Sequence, residues 1–143
     1  MRELITSSTI RIPISSLEPN QPICVDTGVM ASEAIDVMRS KRIGCVLVVD
    51  GGRLAGIFTE RDFLTRVLAK ELDADGTPIE KVMTRAPEYL YKDDPVAFAL
   101  NKMSVGNYRH IPLIDAGHRP VGLVSVKDIF HRLVSATSET SDQ

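Results

Sequence analysis

Disulfides, membrane spans and a one-sided charge field are all missing from this sequence of 143 residues. Only two cysteines occur, each in an apolar run: Pro22-Ile23-Cys24-Val25 and Cys45-Val46-Leu47-Val48-Val49. They read as small buried hydrophobes of a reducing compartment, not as a disulfide framework. Lys and Arg total 17 against 19 Asp and Glu, a formal charge of −2. That balance excludes the basic field of a non-specific nucleic-acid binder. No uncharged apolar run approaches the ~20 residues of a membrane-spanning helix. The start, Met1-Arg2-Glu3-Leu4-Ile5-Thr6, has no apolar segment of signal-peptide type. The expectation is a cytoplasmic protein with neither nucleic-acid nor membrane partners.

Catalytic signatures are missing as well. There is no G-x-x-x-x-G-K-[ST] and no G-x-G-x-x-G. His110, His118 and His131 form no H-E-x-x-H, and no C-x-x-C could hold zinc. No nucleophile elbow announces Ser/His/Asp chemistry. Thiols in apolar surroundings have raised pKa values and are poor nucleophiles. Neither a catalytic residue nor a metal ligand is expected, and the chain does not read as an enzyme.

What is present is a composition of ordinary globular type, 43% hydrophobic and 25% charged, and an internal repeat. Ala34-Ile35-Asp36-Val37-Met38 matches Ala99-Leu100-Asn101-Lys102-Met103, 65 positions on. At the same spacing Val46-Leu47-Val48-Val49-Asp50 meets Ile111-Pro112-Leu113-Ile114-Asp115. One residue is then inserted, and Gly56-Ile57-Phe58-Thr59-Glu60-Arg61-Asp62 meets Gly122-Leu123-Val124-Ser125-Val126-Lys127-Asp128. The insertion falls between Asp50-Gly51-Gly52-Arg53 and Asp115-Ala116-Gly117-His118-Arg119, where hairpin turns tolerate an extra residue.

Each repeat reads as β-α-β-β-α, an α+β fold. A short apolar segment leads, Ile23 to Val25 and Tyr89 to Tyr91. A helix follows, with apolar positions at helical spacing: Ala31, Ala34, Ile35 and Met38, then Val96, Ala99, Leu100 and Met103. Asp94-Pro95 fits an N-cap aspartate followed by proline at the first helical position, while the first repeat's helix has no equally clear start. Two strands come next, Val46–Val49 with Leu54–Phe58, and Ile111–Ile114 with Val121–Val124. A second helix closes each repeat, Glu60 to about Leu72 and Val126 to about Val134. The expected division is an N-terminal extension over 1–13, a first repeat over 14–72, a linker over 73–77, a second repeat over 78–134 and a flexible tail over 135–143. Ile10 and Ile12 alternate with polar residues as in an edge strand.

The twice-repeated Gly-x-x-[Thr/Ser]-x-basic-Asp has two readings. Thr59 with Asp62, and Ser125 with Asp128, fit a capping box with aspartate in place of Glu or Gln. Gly56 and Gly122 then serve close backbone approach in a strand. The other reading uses the same geometry. A strand running into a helix N-terminus offers free N–H groups and a positive dipole end to phosphate. The Ser or Thr hydroxyl can bind phosphate or ribose, and the aspartate can accept from both ribose hydroxyls, as an acid does in dinucleotide folds. Arg61 and Lys127 add a cation within the motif. Arg109-His110 adds charge at the edge of repeat two, where repeat one has Gly44-Cys45.

With its two Gly-x-x-[Thr/Ser]-x-x-Asp motifs, the chain resembles a tandem pair of cystathionine-β-synthase (CBS) domains over about residues 14–134. Thr77-Pro78-Ile79-Glu80-Lys81-Val82-Met83-Thr84 and Tyr108-Arg109-His110-Ile111-Pro112-Leu113 resemble stand-alone CBS-pair proteins of bacteria and archaea. The resemblance implies a pseudo-two-fold pair with two clefts for adenosyl ligands: AMP, ADP, ATP, S-adenosylmethionine or NAD-like molecules. It implies that Asp62 and Asp128 hold ribose, that Thr59 and Ser125 bind ribose or phosphate, and that Arg109 and His110 meet phosphate. Gly44 and Cys45 depart from this pattern, which weakens the first site.

The function expected is a non-enzymatic regulatory module that binds an adenine nucleotide, acting on a regulated protein partner. The alternative is a dimerisation or docking module with vestigial clefts. Phe63, Leu64, Val67 and Leu68 after Asp62, and Ile129, Phe130, Leu133 and Val134 after Asp128, spread over more than one helix face. Apolar surface of that extent predicts an interface, and CBS pairs commonly dimerise through these helices into a flat disk. A two-fold homodimer is expected.

Overall fold

In the computed structural model, which describes residues 10–141 apart from the side chains of residues 133 and 135–141, the apolar run at Cys45 becomes the central strand of a sheet. This strand, β2 (Cys45–Asp50), pairs in parallel with β1 (Cys24–Asp26) and antiparallel with β3 (Arg53–Thr59). A fourth strand, β4 (Thr84–Arg85), lies antiparallel on the far side of β3. Residues Cys45 to Val48 are buried in succession, as expected of a strand covered on both faces, and their β-branched valines suit it. The β2–β3 turn is closed by Gly51 (φ +59°) and Gly52 (φ +82°), a left-handed pair that only glycine adopts freely.

Against the sheet packs α1 (Ala31–Lys41), with Ala31, Ala34 and Met38 buried at i, i+3 and i+7. The second helix, α2, begins as an α-turn over Glu60–Asp62 and continues as a π-helix over Phe63–Leu68. It therefore stops short of Leu72. Phe58, Val67, Ile79 and Val82 complete this core. Cys24 is exposed, contrary to the reading from its apolar neighbours, because it lies on an outer face of the short β1; Cys45 is buried.

The second repeat has the same parts. Leu90 bridges Leu113 in parallel, where β1 pairs β2 in the first. Helix α3 (Val96–Gly106) buries Val96, Ala99 and Met103. Strands β5 (His110–Ile114) and β6 (Pro120–Ser125) form a two-stranded sheet, and α4 (Val126–Ser141) follows. The fold is thus α+β, with two β-α-β-β-α repeats. Helix α4 continues past Val134 through the Ser/Thr-rich stretch to Ser141, farther than the apolar spacing reaches. Pro95, not Asp94, is the N-cap residue of α3; Asp94 Oδ2 instead accepts the Tyr91 N–H at 2.8 Å, closing the preceding turn.

The compact units are interleaved along the chain: residues 22–87 with 116–120, and residues 10–21, 88–115 and 121–141. The segment leading into each repeat folds onto the other repeat's helix. In one unit the Ile14 N–H donates to the Asp94 carbonyl (2.9 Å) and the Val96 N–H to the Ile12 carbonyl (2.9 Å). In the other the Ile79 N–H donates to the Val29 carbonyl (2.8 Å) and the Ala31 N–H to the Thr77 carbonyl (2.8 Å). Every atom pair of one set becomes the other on a shift of 65 positions. These bonds satisfy N–H groups that a helix start leaves without intrahelical partners, and Ile14 and Ile79 are fully buried beside them. Ile10 to Ile12 form no strand; Pro13 makes a single bridge to Pro95. Residues 1–9 of the expected N-terminal extension lie outside the described residues.

Candidate functional site

Both Thr/Ser-x-x-Asp motifs sit where a strand turns directly into a helix, and both form capping boxes. At the β3–α2 junction the Asp62 N–H donates to Thr59 Oγ1 (3.1 Å) and the Thr59 N–H to Asp62 Oδ2 (3.0 Å). At the β6–α4 junction the Asp128 N–H donates to Ser125 Oγ (3.1 Å) and the Ser125 N–H to Asp128 Oδ2 (3.2 Å). The residue just before β2, and likewise the one before β5, is tied to the helix start. The Glu60 N–H donates to the Gly44 carbonyl (3.1 Å) and the Val126 N–H to the Arg109 carbonyl (3.0 Å). The fold thus brings Arg109 and His110 to the junction that carries Ser125 and Asp128. Arg109 and Lys127 are exposed and His110 is half-buried. In repeat one Arg61 is exposed beside Thr59 and Asp62, but no cation enters from β2.

The two acids differ in what their second oxygen does. Asp62 Oδ1 accepts the Thr84 hydroxyl at 3.3 Å and lies 3.5 Å from Arg66 Nε, and the residue is only 7% exposed. Asp128 is less buried, and among the described residues its Oδ1 has no hydrogen bond or ion pair. Every buried side-chain nitrogen or oxygen among the described residues is hydrogen-bonded, so the unpartnered Asp128 Oδ1 faces solvent. Thr84 and Arg66 were not foreseen as part of the site. The i, i+4 spacing of Asp62 and Arg66 is the one signal that pointed to the ion pair; nothing local announces Thr84, which is 22 residues away.

The glycines of the motif serve close approach. A Cβ on Gly56 would run into the Met83 side chain and stand 2.9 Å from the Thr84 carbonyl oxygen; on Gly122 it would meet Leu113 Cδ1 at 3.1 Å. At the position matched to His110, burial and then the nearby Glu60 carboxylate push the Cys45 thiol up to about 12. Partial burial of its sulfur also raises Cys24, though the residue is exposed. A protonated thiol is neither a nucleophile nor an anion ligand. No group of three or more metal-ligating side chains is found among the described residues, and no helix among them is long and apolar enough to cross a membrane.

Comparison with known proteins agrees with this geometry. The pattern of the CBS domain matches residues 14–69 and again 79–135. A CBS domain-containing protein of Arabidopsis thaliana is 31% identical over 138 residues, 96% of this chain but 23% of its own length. The chain spans less than a quarter of each of the five Arabidopsis relatives it matches. Among solved structures, a CBS domain protein from Pyrobaculum aerophilum complexed with AMP superposes with a TM-score of 0.76 at 26% identity, over 87% of this chain and 99% of that one. The CBS domain pair of protein MJ0100, in complex with 5′-methylthioadenosine and S-adenosyl-L-methionine, gives 0.75 at 29% identity, over 83% and 97%. Two matches to one domain, each containing a strand–helix junction with its Thr/Ser–Asp box, make this chain a member of the CBS-domain family, with a tandem CBS pair.

Proposed function

We propose that the chain is a non-enzymatic regulatory module that binds an adenosyl ligand at the junction of repeat two, an adenine nucleotide such as AMP, ADP or ATP in preference to S-adenosylmethionine or NAD. The observation that carries this reading is Asp128. One carboxylate oxygen holds the helix start and the other faces solvent without a partner. That free oxygen suits the two hydroxyls of a ribose. Ser125 lies on the same turn, and Arg109, His110 and Lys127 supply donors for phosphate. The AMP complex of the Pyrobaculum protein and the ligands of the MJ0100 pair support the ligand class.

Ligand binding would regulate by shifting an equilibrium, by no more than its differential affinity for the two states. The states belong to the proposed homodimer. Leu64 and Leu68 on α2 are 57% and 52% exposed, and Phe130 and Val134 sit at the matching positions of α4, 61% and 45% exposed. These outward rows suit a second copy, with a regulated protein partner acting on the dimer. Val67 and Ile129, by contrast, are buried within their own units, and Phe63 packs on its core. The side chain of Leu133 lies outside the described residues.

A thermal-shift series tests the ligand. At a hundredfold excess over Kd, a nucleotide that binds only the folded chain adds about 2.7 kcal/mol. If no adenosyl compound moves Tm, the pair is a docking module with vestigial sites.

A further inference from the structure

We infer that Asp62 is an internal clamp and not a ligand acid, so that each chain takes one adenosyl ligand and not two. The inference deepens the reading given above and rests on it for its ligand half. Duplication supplied two copies of the Thr/Ser–Asp box, and the structure shows what became of each.

In repeat one the carboxylate is consumed by the fold on both sides. Oδ2 takes the Thr59 N–H, and Oδ1 takes the Thr84 hydroxyl from β4 and faces Arg66. Arg66 is itself anchored at its other end, since its Nη1 donates to the Met83 carbonyl at 2.8 Å. Asp62 and Arg66 therefore join three pieces of chain: the β3–α2 junction, the π-wound part of α2 and the segment that enters repeat two. A ribose reaching Asp62 Oδ1 must compete with the Thr84 hydroxyl and the Arg66 guanidinium for an oxygen of a residue that is only 7% exposed.

Repeat two lacks both arms of this clamp. Pro19 stands 65 positions before Thr84 and has no hydroxyl; Asn20, which bridges Leu123, makes no bond to Asp128 among the described residues. Arg132 matches Arg66 but is exposed and forms no ion pair with Asp128. The phosphate side differs in the same sense, with Gly44 and the buried, protonated Cys45 in place of Arg109 and His110.

The test uses the full chain, with AMP and S-adenosylmethionine as calorimetric probes and thermal denaturation as a second readout. The expected result is one site per chain for the probe that binds. Asp62→Asn and the milder Thr84→Val should leave its affinity within about twofold. Without ligand, Asp62→Asn should lower Tm by a few degrees more than Asp128→Asn does, since Asp62 also accepts the Thr84 hydroxyl and pairs with the half-exposed Arg66, and Asp128 has neither contact among the described residues. Two sites per parent chain would overturn the inference, as would loss of the single site in Asp62→Asn but not in Asp128→Asn. Equal melting of the two Asn variants would overturn the clamp as well. If neither probe binds, the ligand reading fails, and the two melting temperatures still decide whether Asp62 is a clamp.

Discussion

Arg109 is held to the start of α4 by its own main chain, its carbonyl accepting the Val126 N–H at 3.0 Å. Gly44 holds Glu60 in the same way at 3.1 Å. The two junctions share a backbone geometry and differ in side-chain chemistry, so one can be rewritten as the other. Replacing Arg109→Gly together with His110→Cys should remove the preference for AMP over adenosine. Charge-assisted hydrogen bonds contribute about 1.5–3 kcal/mol each, so the ratio of the two affinities should fall at least tenfold in titration calorimetry. An unchanged ratio would place the phosphate at Lys127, the remaining cation of that junction.

Asp128→Ala separates the two roles of the box. The capping role is worth about 1 kcal/mol, so the variant should fold and melt only a few degrees below the parent. Its nucleotide affinity should fall by far more than the lost cap explains, because the solvent-facing oxygen is gone. Should the variant bind AMP as tightly as the parent, capping is the whole function of the motif.

The repeat, the strand order within each hairpin and both capping boxes were legible because each is written in local spacing. Asp50-Gly51-Gly52 marks its turn, and Thr59 and Asp62 stand three apart as a box requires. What was not legible depends on residues distant in sequence. The N-cap residue of α1, Met30, offers no side-chain acceptor; the Thr77 and Ala74 carbonyls, from the linker, accept the Ala31 and Ser32 N–H groups instead. Asp94 reads as an N-cap, yet α3 receives its cover from Ile12, and Asp94 closes a turn instead. The same holds at the site. Asp62 and Asp128 are indistinguishable as motif members, and only the folded chain shows that Thr84 reaches one of them.

The two thiols should behave oppositely towards alkylation. At pH 8 iodoacetamide should label Cys24, which is exposed, and leave Cys45 unmodified, as peptide mass spectrometry would show. Cys45 also makes stability depend on pH at the alkaline end. Its folded pKa, about 12, lies above the ordinary value of 9.0. The unfolded chain therefore releases this proton first. Its contribution is complete below about pH 9 and is lost as pH rises towards 12, at up to about 1.4 kcal/mol per unit. The stability of the parent relative to Cys45→Ala should fall as pH rises above 9 in denaturant titrations; a constant difference across pH 8–11 would refute the assignment.

The outward rows on α2 and α4 make the assembly testable without ligand. Leu64 and Leu68 lie four apart on α2, and Val126, Phe130 and Val134 lie at i, i+4 and i+8 on α4; all five are exposed. Helical neighbours at that spacing form a continuous apolar stripe. Leu64 and Phe130 occupy matched positions in the two repeats, and neither belongs to the core of its unit. Light scattering at micromolar concentration should give about twice the 15.7 kDa of one chain. Leu64→Glu with Phe130→Glu should halve that mass while leaving the circular dichroism spectrum unchanged, since a carboxylate at each centre meets its own kind across a two-fold interface. Phe63→Glu is the contrasting variant. Its side chain packs on the core, so it should lower Tm whatever the oligomeric state. A parent that scatters as a 15.7 kDa monomer, with and without nucleotide, would remove the dimer from the proposal.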